Sequence, residues 1–550
     1  MSLDPVLYYS MPDDTACVAR AAFPKGNVYM RMHDEVGPLY HNPSFAALFS
    51  ARGRPAEAPA RLALITVMQF AENLSDRQAA EAVRGRIDWK YALSLELTDP
   101  GFDASVLCEF RARLLAGDAE QLLLDRLLTL CRERGLLTAR GRQRTDSTHV
   151  LAAIHALNRL ECVGETLRQA LNSLAVAAPA WLRTQVGADW AERYGPRVEN
   201  YRLPKAEAER QALATAMGAD GFALLVALYA PGAPTWLREI PAVETLRQVW
   251  VQQYHAAEGA VRWRATTELP PAATLINSPH DAEARFSKKR DTIWTGYKAH
   301  LTETCDPDTP HLITNVATTP ATTQDSDVTA AIHTALAAKE LLPKEHLLDA
   351  GYIDADHLVT SKDEHGVTII GPVARDGSWQ ACNGHGFDVA QFAVEWEAQR
   401  VRCPQGNLSR EWKPTRDAFG NPVIHIEFDR HDCLACASRP HCTRAKAGAR
   451  EMTLRPQAQY LALHAARERQ HTPAFKEQYA ARAGIEGTLS QGSRSCDLRR
   501  SRYIGLTKTH LQHILTATAL NFARVGAWLA DTPRAATRQS PFVKLMAQAA

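Results

Sequence analysis

Residues 291–303, DTIWTGYKAHLTE, alternate with a period of two that only an extended strand satisfies. Ile293, Thr295, Tyr297, Ala299 and Leu301 share one face, and Lys298 and His300 fall on the other. HLITNVATT follows a Pro-containing turn, so the two segments predict a hairpin. Upstream, QRTDSTHV reads as a short strand ending near Asp146, and a long Ala-, Leu- and Arg-rich helical region covers 150–265. Downstream, a helix at 325–340 leads to the strand HLLDAG, the helix DADHLVTSKDEHG and the strand VTIIGPV, a βαβ unit. The pattern predicts an α/β chain whose mixed sheet starts at residue 143, is interrupted by a helical insertion, and resumes at 291.

With 550 residues, 45% hydrophobic and 23% charged, the chain has material for three or four packed domains. Residues 1–55 are rich in turns, and 56–138 are strongly helical. Ser75 with Gln78 predicts a capping box, and Asp103 or Ser105 a cap for the helix from about 104. Short helices joined by tight turns suit either a helical bundle or a helix-turn-helix. The expected division is 1–138 helical; 139–154 with 285–375 as the sheet core; 155–284 helical insertion; 376–450 Cys-rich insertion; 451–530 helical; and 531–550 a loosely ordered tail. No uninterrupted apolar stretch of about 18 residues and no secretory signal is apparent, so a membrane span and export are not expected.

The net charge of +2 excludes no partner class, but its distribution is uneven. Residues 285–290 read RFSKKR, and basic residues crowd the stretch from Arg482 to Lys508. Such stripes either contact a polyanion or form a solvated face.

Two residue groups carry chemistry. Asp146 and Asp349 are expected at strand ends, where carboxylates can hold hard cations beside a phosphodiester. Each alone could equally be a turn or cap residue. Tyr479, Arg482 and Glu486 are spaced by three and four, which places them on one helical face. That arrangement suits a metal-bound phosphate, and it also suits an ordinary Arg–Glu surface pair. Of eleven cysteines, Cys403, Cys433, Cys436 and Cys442 cluster, with His431 and His441 as spare ligands. They either chelate structural zinc or are reduced thiols packed in a small insertion. The scattered remainder fits a reducing cytoplasm.

Several long segments are similar to bacterial insertion-sequence transposases of the DDE superfamily. LSDRQAAEAVRGRIDWKYALSLELTDPGFDASVLCEFRARL resembles their N-terminal helical domain, GRQRTDSTHV the first-Asp segment, and KKRDTIWTGYKAHLTE the core strands that follow. LLDAGYIDADHL resembles the second-Asp segment, and YAARAGIEGTLSQGSRSCDLRRSRYIGLTKTHLQHILTATALNFAR the third-acid helix and its tail. The resemblance implies a ribonuclease-H-like core in which Asp146, Asp349 and Glu486 hold two Mg2+ or Mn2+ ions. It implies that Tyr479 and Arg482 belong to a Tyr–Arg–Glu signature. The Lys that often follows Glu by seven residues is Ser493 here, and the neighbouring Arg494 is the substitute.

The implied partner is double-stranded DNA, both the element's terminal inverted repeats and the target, and the implied assembly is a homodimer. Arg494, Arg499, Arg500, Arg502 and Lys508 are then expected to bind phosphates, and the N-terminal helices to read element ends. Lys298 and His300 either approach the site or are structural. A nuclease that cuts without joining, a catalytically silent DNA-binding derivative and a zinc-dependent binding module are the competing readings.

Overall fold

The structure is a computed structural model describing residues 2–3, 6, 9–50, 52–154, 157–257, 260–383, 386–533 and 541–548. Part of the expected loose tail, 534–540 and 549–550, lies outside these residues.

The core is one six-stranded mixed sheet. In chain order its strands are β1 (Arg142–Leu151), β2 (Arg285–Lys289), β3 (Thr292–Thr304), β4 (Ile313–Pro320), β5 (Glu345–Leu347) and β6 (Thr368–Ile370). β3 pairs antiparallel with β1, and β2 and β4 pair with successive stretches of β3. β5 runs parallel to β1, and β6 parallel to β5, through the crossover helix Ala355–His365. This order, with three long antiparallel strands followed by two short parallel ones, is the ribonuclease-H-like arrangement.

The period-two reading of β3 holds in its middle. Tyr297, Ala299 and Leu301 are fully buried in the main apolar core, whereas Ile293 stands exposed where the strand runs past that core. The other face is covered as well, because His300 donates or accepts hydrogen bonds at both ring nitrogens, with Tyr352 (2.6 Å) and Thr319 (3.1 Å).

β1 does not end near Asp146 but continues five residues further, with Asp146 opposite Leu301. The reason is the length of β3, whose ladder with β1 runs from Gln143 to Leu151. On its other edge β1 pairs with β5 only as far as Arg144, opposite Leu347. Beyond that rung the parallel strands part.

The N-terminal helices pack into the same core as the sheet. The helix Pro59–Ala71 buries Leu62, Ile65, Val67 and Phe70 and lies against the long helix Leu506–Leu529. Helix Asp76–Gly85 starts at the expected Ser75–Gln78 capping box, an arrangement that stabilises a helix by about 1 kcal/mol. Asp103 accepts from the backbone N–H of Ser105 (2.9 Å), the first residue of the helix Ser105–Ala116. The turn-rich start also holds a helix, Asp13–Ala22. Asn521 closes the sheet edge by exchanging two 2.8 Å hydrogen bonds with the backbone of Ile313.

The insertion after β1 has its own apolar core, from Leu160 to Ile276. One of its helices, Glu207–Tyr229, is by length and composition alone apolar enough to cross a membrane, as the core helix of a folded domain can also be. Its Gly218 and Gly221 admit Tyr254 and Trp250, whose polar atoms donate to the carbonyls of Ala214 (2.7 Å) and Gly218 (3.0 Å). The Cys-rich stretch contains a further small core and a three-stranded sheet, β7 (Ser409–Arg416), β8 (Pro422–Phe428) and β9 (Glu451–Leu454).

Candidate functional site

The register between β1 and β5 positions the first two acids. Arg144 pairs with Leu347, so the same register carried two residues further sets Asp349 level with Asp146. The strands have parted there, and a cleft of about 460 Å³ opens between them. Each aspartate tethers one oxygen locally. Asp146 Oδ1 accepts from Ser147 N–H (2.8 Å), and Asp349 Oδ1 accepts from Gly351 N–H (2.8 Å) at the start of a short 3-10 turn. Their Oδ2 atoms face a third element.

That element is the segment from Pro473 to Ser495. It is not one continuous helix as the spacing predicts. A 3-10 turn, Ala481–Ala483, separates the helices Pro473–Ala480 and Gly484–Ser495. The side chains still converge. Arg482 Nη2 lies 2.7 Å from Asp146 Oδ2 and 3.7 Å from Asp349 Oδ2, and Nη1 lies 3.4 Å from Glu486 Oε1. One guanidinium thus touches all three candidate carboxylates. Tyr479 stacks on Phe475 (centroids 5.4 Å apart), which fills a small core with Leu347 and Ile370 beneath the site.

The electrostatics follow from burial. Desolvation raises the pKa of Asp146 above the ordinary carboxylate value; Arg482 opposes this and Asp349 adds to it. Burial alone would lower the Arg482 pKa, but the carboxylates around it leave it raised. Burial likewise pushes the Tyr479 phenol up. Glu486 is mostly exposed, at 70% of its side-chain surface, so it is the acid most free to move.

Cations line the same cleft. Lys289, Arg290, Lys298 and Arg499 stand around the acids. Lys289 and Arg290 end the RFSKKR run, so the signal for them was in the sequence, though without a named role. Lys298 donates to Thr323 O (2.7 Å) and Asp325 (3.0 Å), and Asp325, which sequence reasoning missed, also pairs with Lys289 at 3.8 Å. Arg499 binds Thr148 Oγ1 (2.9 Å), and its carbonyl accepts from Leu151 N–H at the end of β1. Arg494, Arg500 and Lys508 are exposed. Arg502 is engaged elsewhere, hydrogen-bonded to Leu74 O (3.0 Å) and Asn73 and lying over the Phe70 ring. Its guanidinium ties the third-acid segment to the N-terminal helices.

Cys403, Cys433, Cys436 and Cys442 line one small cavity with Phe392 and Phe428. Burial raises the Cys442 pKa, and the other three thiols raise it further. Four sulfurs around one space form a donor set for a soft-to-borderline divalent ion. Among the described residues, one group holds three ligand atoms mutually within 4.8 Å: Glu411, His425 and Glu427 on β7 and β8. The acids of the cleft and the four thiols are each spread more widely than that.

Two protein-family models match the chain. One, described as a transposase DDE domain, matches residues 402–526, which include the cysteine module, Arg482 and Glu486. The other, a transposase domain (DUF772), matches residues 18–113, the N-terminal helices. No curated protein matches the chain.

Proposed function

Because the chain belongs to the DDE transposases of bacterial insertion sequences, we propose that it binds the terminal inverted repeats of its element, cleaves there, and joins the freed 3′ ends to target DNA. The observation that carries this reading is the convergence of Asp146, Asp349 and Glu486 on the guanidinium of Arg482 inside a cation-lined cleft. DDE domains use divalent metal in general. Here the cleft-facing carboxylate oxygens are hard donors that fit Mg2+ or Mn2+. When bound, two such ions supply activation of the attacking hydroxyl and stabilisation of the leaving oxygen.

The chain's own side chains do the rest. Asp146 and Asp349 fix the site on the rigid sheet, and mobile Glu486 completes it. Lys289, Arg290 and Arg499 neutralise phosphates on either side of the scissile bond, and they set the register of the duplex without reading its bases. Exposed Arg494, Arg500 and Lys508 extend that track. Water attacks the phosphodiester at the element end, and the released 3′-hydroxyl then attacks the target strand in line. Two ends must be held together, so the working form is a homodimer on DNA in the cytoplasm. The four cysteines hold a structural zinc ion that shapes the small module preceding the third acid.

The test uses the full chain, Mg2+ and a duplex carrying the inverted repeat that flanks its coding region. Asp349→Ala is expected to keep end binding and lose nicking. Nicking at the wild-type rate by that variant removes Asp349 from the site. Cleavage without joining of pre-cut ends would favour a nuclease of the same fold instead.

A further inference from the structure

Glu303 is fully buried at the end of β3, and its carboxylate is gripped from three directions. Arg144, its cross-strand neighbour on β1, donates from Nε (2.7 Å) and Nη2 (2.6 Å) to Oε1. Oε2 accepts from Thr488 Oγ1 (2.6 Å) on the acid-bearing helix and from Arg524 Nη1 (2.9 Å) on the long C-terminal helix. Arg524 in turn donates to Thr488 Oγ1 (2.6 Å) and Gln491 (3.0 Å). Arg144 also donates to the carbonyl of Ala481, in the turn that carries Arg482. Gly484 makes that approach feasible, since a Cβ there would stand 2.2 Å from Arg144 Nη1.

None of Glu303, Arg144, Thr488 and Arg524 lines the cleft, but Arg144 and Thr488 each stand two residues from an acid that does, Asp146 and Glu486. Arg144 and Asp146 are two residues apart on the same face of β1. Ala481 and Thr488 bracket Arg482 and Glu486. A buried charge is a poor way to gain stability, because its desolvation offsets most of the attraction. It is an effective way to fix geometry, because its partners have one low-energy arrangement.

We propose that Glu303 is a positioning residue. Through Arg144, Thr488 and Arg524 it sets the placement of the segment 481–495 against β1, and with it the distance of Glu486 and Arg482 from Asp146. The part of this concerning metal rests on the proposed transposase chemistry; the part concerning placement does not.

The experiment compares full-length wild type with Thr488→Val, which removes one donor to Glu303 at nearly constant shape, and with Thr488→Ser, which restores it. Glu303→Gln is a harsher companion. Two quantities are read: hydrogen exchange of residues 481–495 against that of 59–116, and affinity for Mn2+ added alone. Thr488→Val should speed exchange in 481–495 while leaving 59–116 and the melting temperature nearly unchanged. It should also weaken Mn2+ binding by roughly 10–100-fold, as loss of an orienting neighbour does at metal sites. Thr488→Ser should reverse both effects.

Unchanged exchange in 481–495, or exchange that rises equally everywhere, overturns the proposal, as does failure of the serine variant to restore the wild-type pattern. If wild type and Asp349→Ala bind Mn2+ alike, the metal reading of the acids fails. The exchange comparison then still decides the placement.

Discussion

Arg482 Nη2 and Asp146 Oδ2 stand 2.7 Å apart, and the same guanidinium reaches Asp349 and Glu486 within 3.7 Å. Three carboxylates converging on one cleft repel one another, and in this partly buried setting the repulsion is weakly screened. Arg482 offsets it and, because guanidinium stays charged at all relevant pH values, does so independently of pH.

Removing that charge has a defined direction. Arg482 lowers the pKa of Asp146 against a burial effect that raises it. Arg482→Gln therefore raises it further, and the acid limb of the pH profile for Mg2+-dependent nicking moves to higher pH. The pH dependence of single-turnover nicking, wild type against variant, measures the shift. An acid limb that stays in place would mean Arg482 does not control the ionisation of Asp146.

Phosphate contacts release counterions, so end binding should weaken steeply with salt. Lys289→Ala and Arg499→Ala each remove one cation from the cleft wall. Each is expected to reduce the slope of log affinity against log salt by about 1, without changing preference among end sequences. Titrations at several salt concentrations with matched and scrambled duplexes check this. Arg502→Ala, by contrast, should lower stability rather than the slope, because its guanidinium is bound to Asn73 and Leu74.

The four thiols of the Cys-rich module line one small cavity, where burial and the neighbouring thiols raise the pKa of Cys442. A bound zinc ion reverses that penalty. Elemental analysis of active protein should give one zinc per chain, and Cys436→Ser should lose it and expose 393–454 to proteolysis. Active protein without zinc would leave the cluster as packed, reduced thiols.

Four buried histidines and the partly buried His510 set the response to acid. Burial lowers the pKa of His300, His333 and His510 to about 4, that of His513 to about 3, and that of His346 well below its ordinary value. Between pH 6.5 and about 4 the unfolded chain binds protons at these sites and the folded chain does not, so stability falls as pH falls through that window. Each group contributes a slope of about 1.4 kcal/mol per pH unit while it differs between states. Denaturant melts at pH 7, 6, 5 and 4 should show a steep decline, and His513→Gln should flatten it. A stability that is level over this range would contradict the neutral, buried assignment.

Much of this protein was legible in its sequence, for reasons of local physics. Alternation along 293–301 marked β3 because side chains of a strand project to opposite faces. Ser75 and Gln78 marked a helix start because their side chains satisfy orphan N–H groups nearby in the chain. The cysteine spacing marked a four-thiol cluster, and the Arg482–Glu486 interval brought those side chains together despite the 3-10 turn between the helices.

What the tertiary structure decided involves partners separated by hundreds of residues. That Asp146 lies in mid-strand follows from the length of a strand about 150 residues away. Its alignment with Asp349 follows from a parallel register over a few rungs. The Arg144–Glu303–Thr488 clamp and the shared core of N-terminal helices and sheet belong to the same class. Local periodicity fixes which face a side chain takes. Which other side chain meets it is fixed by packing, where long-range pairings compete through small differences in burial and hydrogen bonding that a single stretch of sequence does not encode.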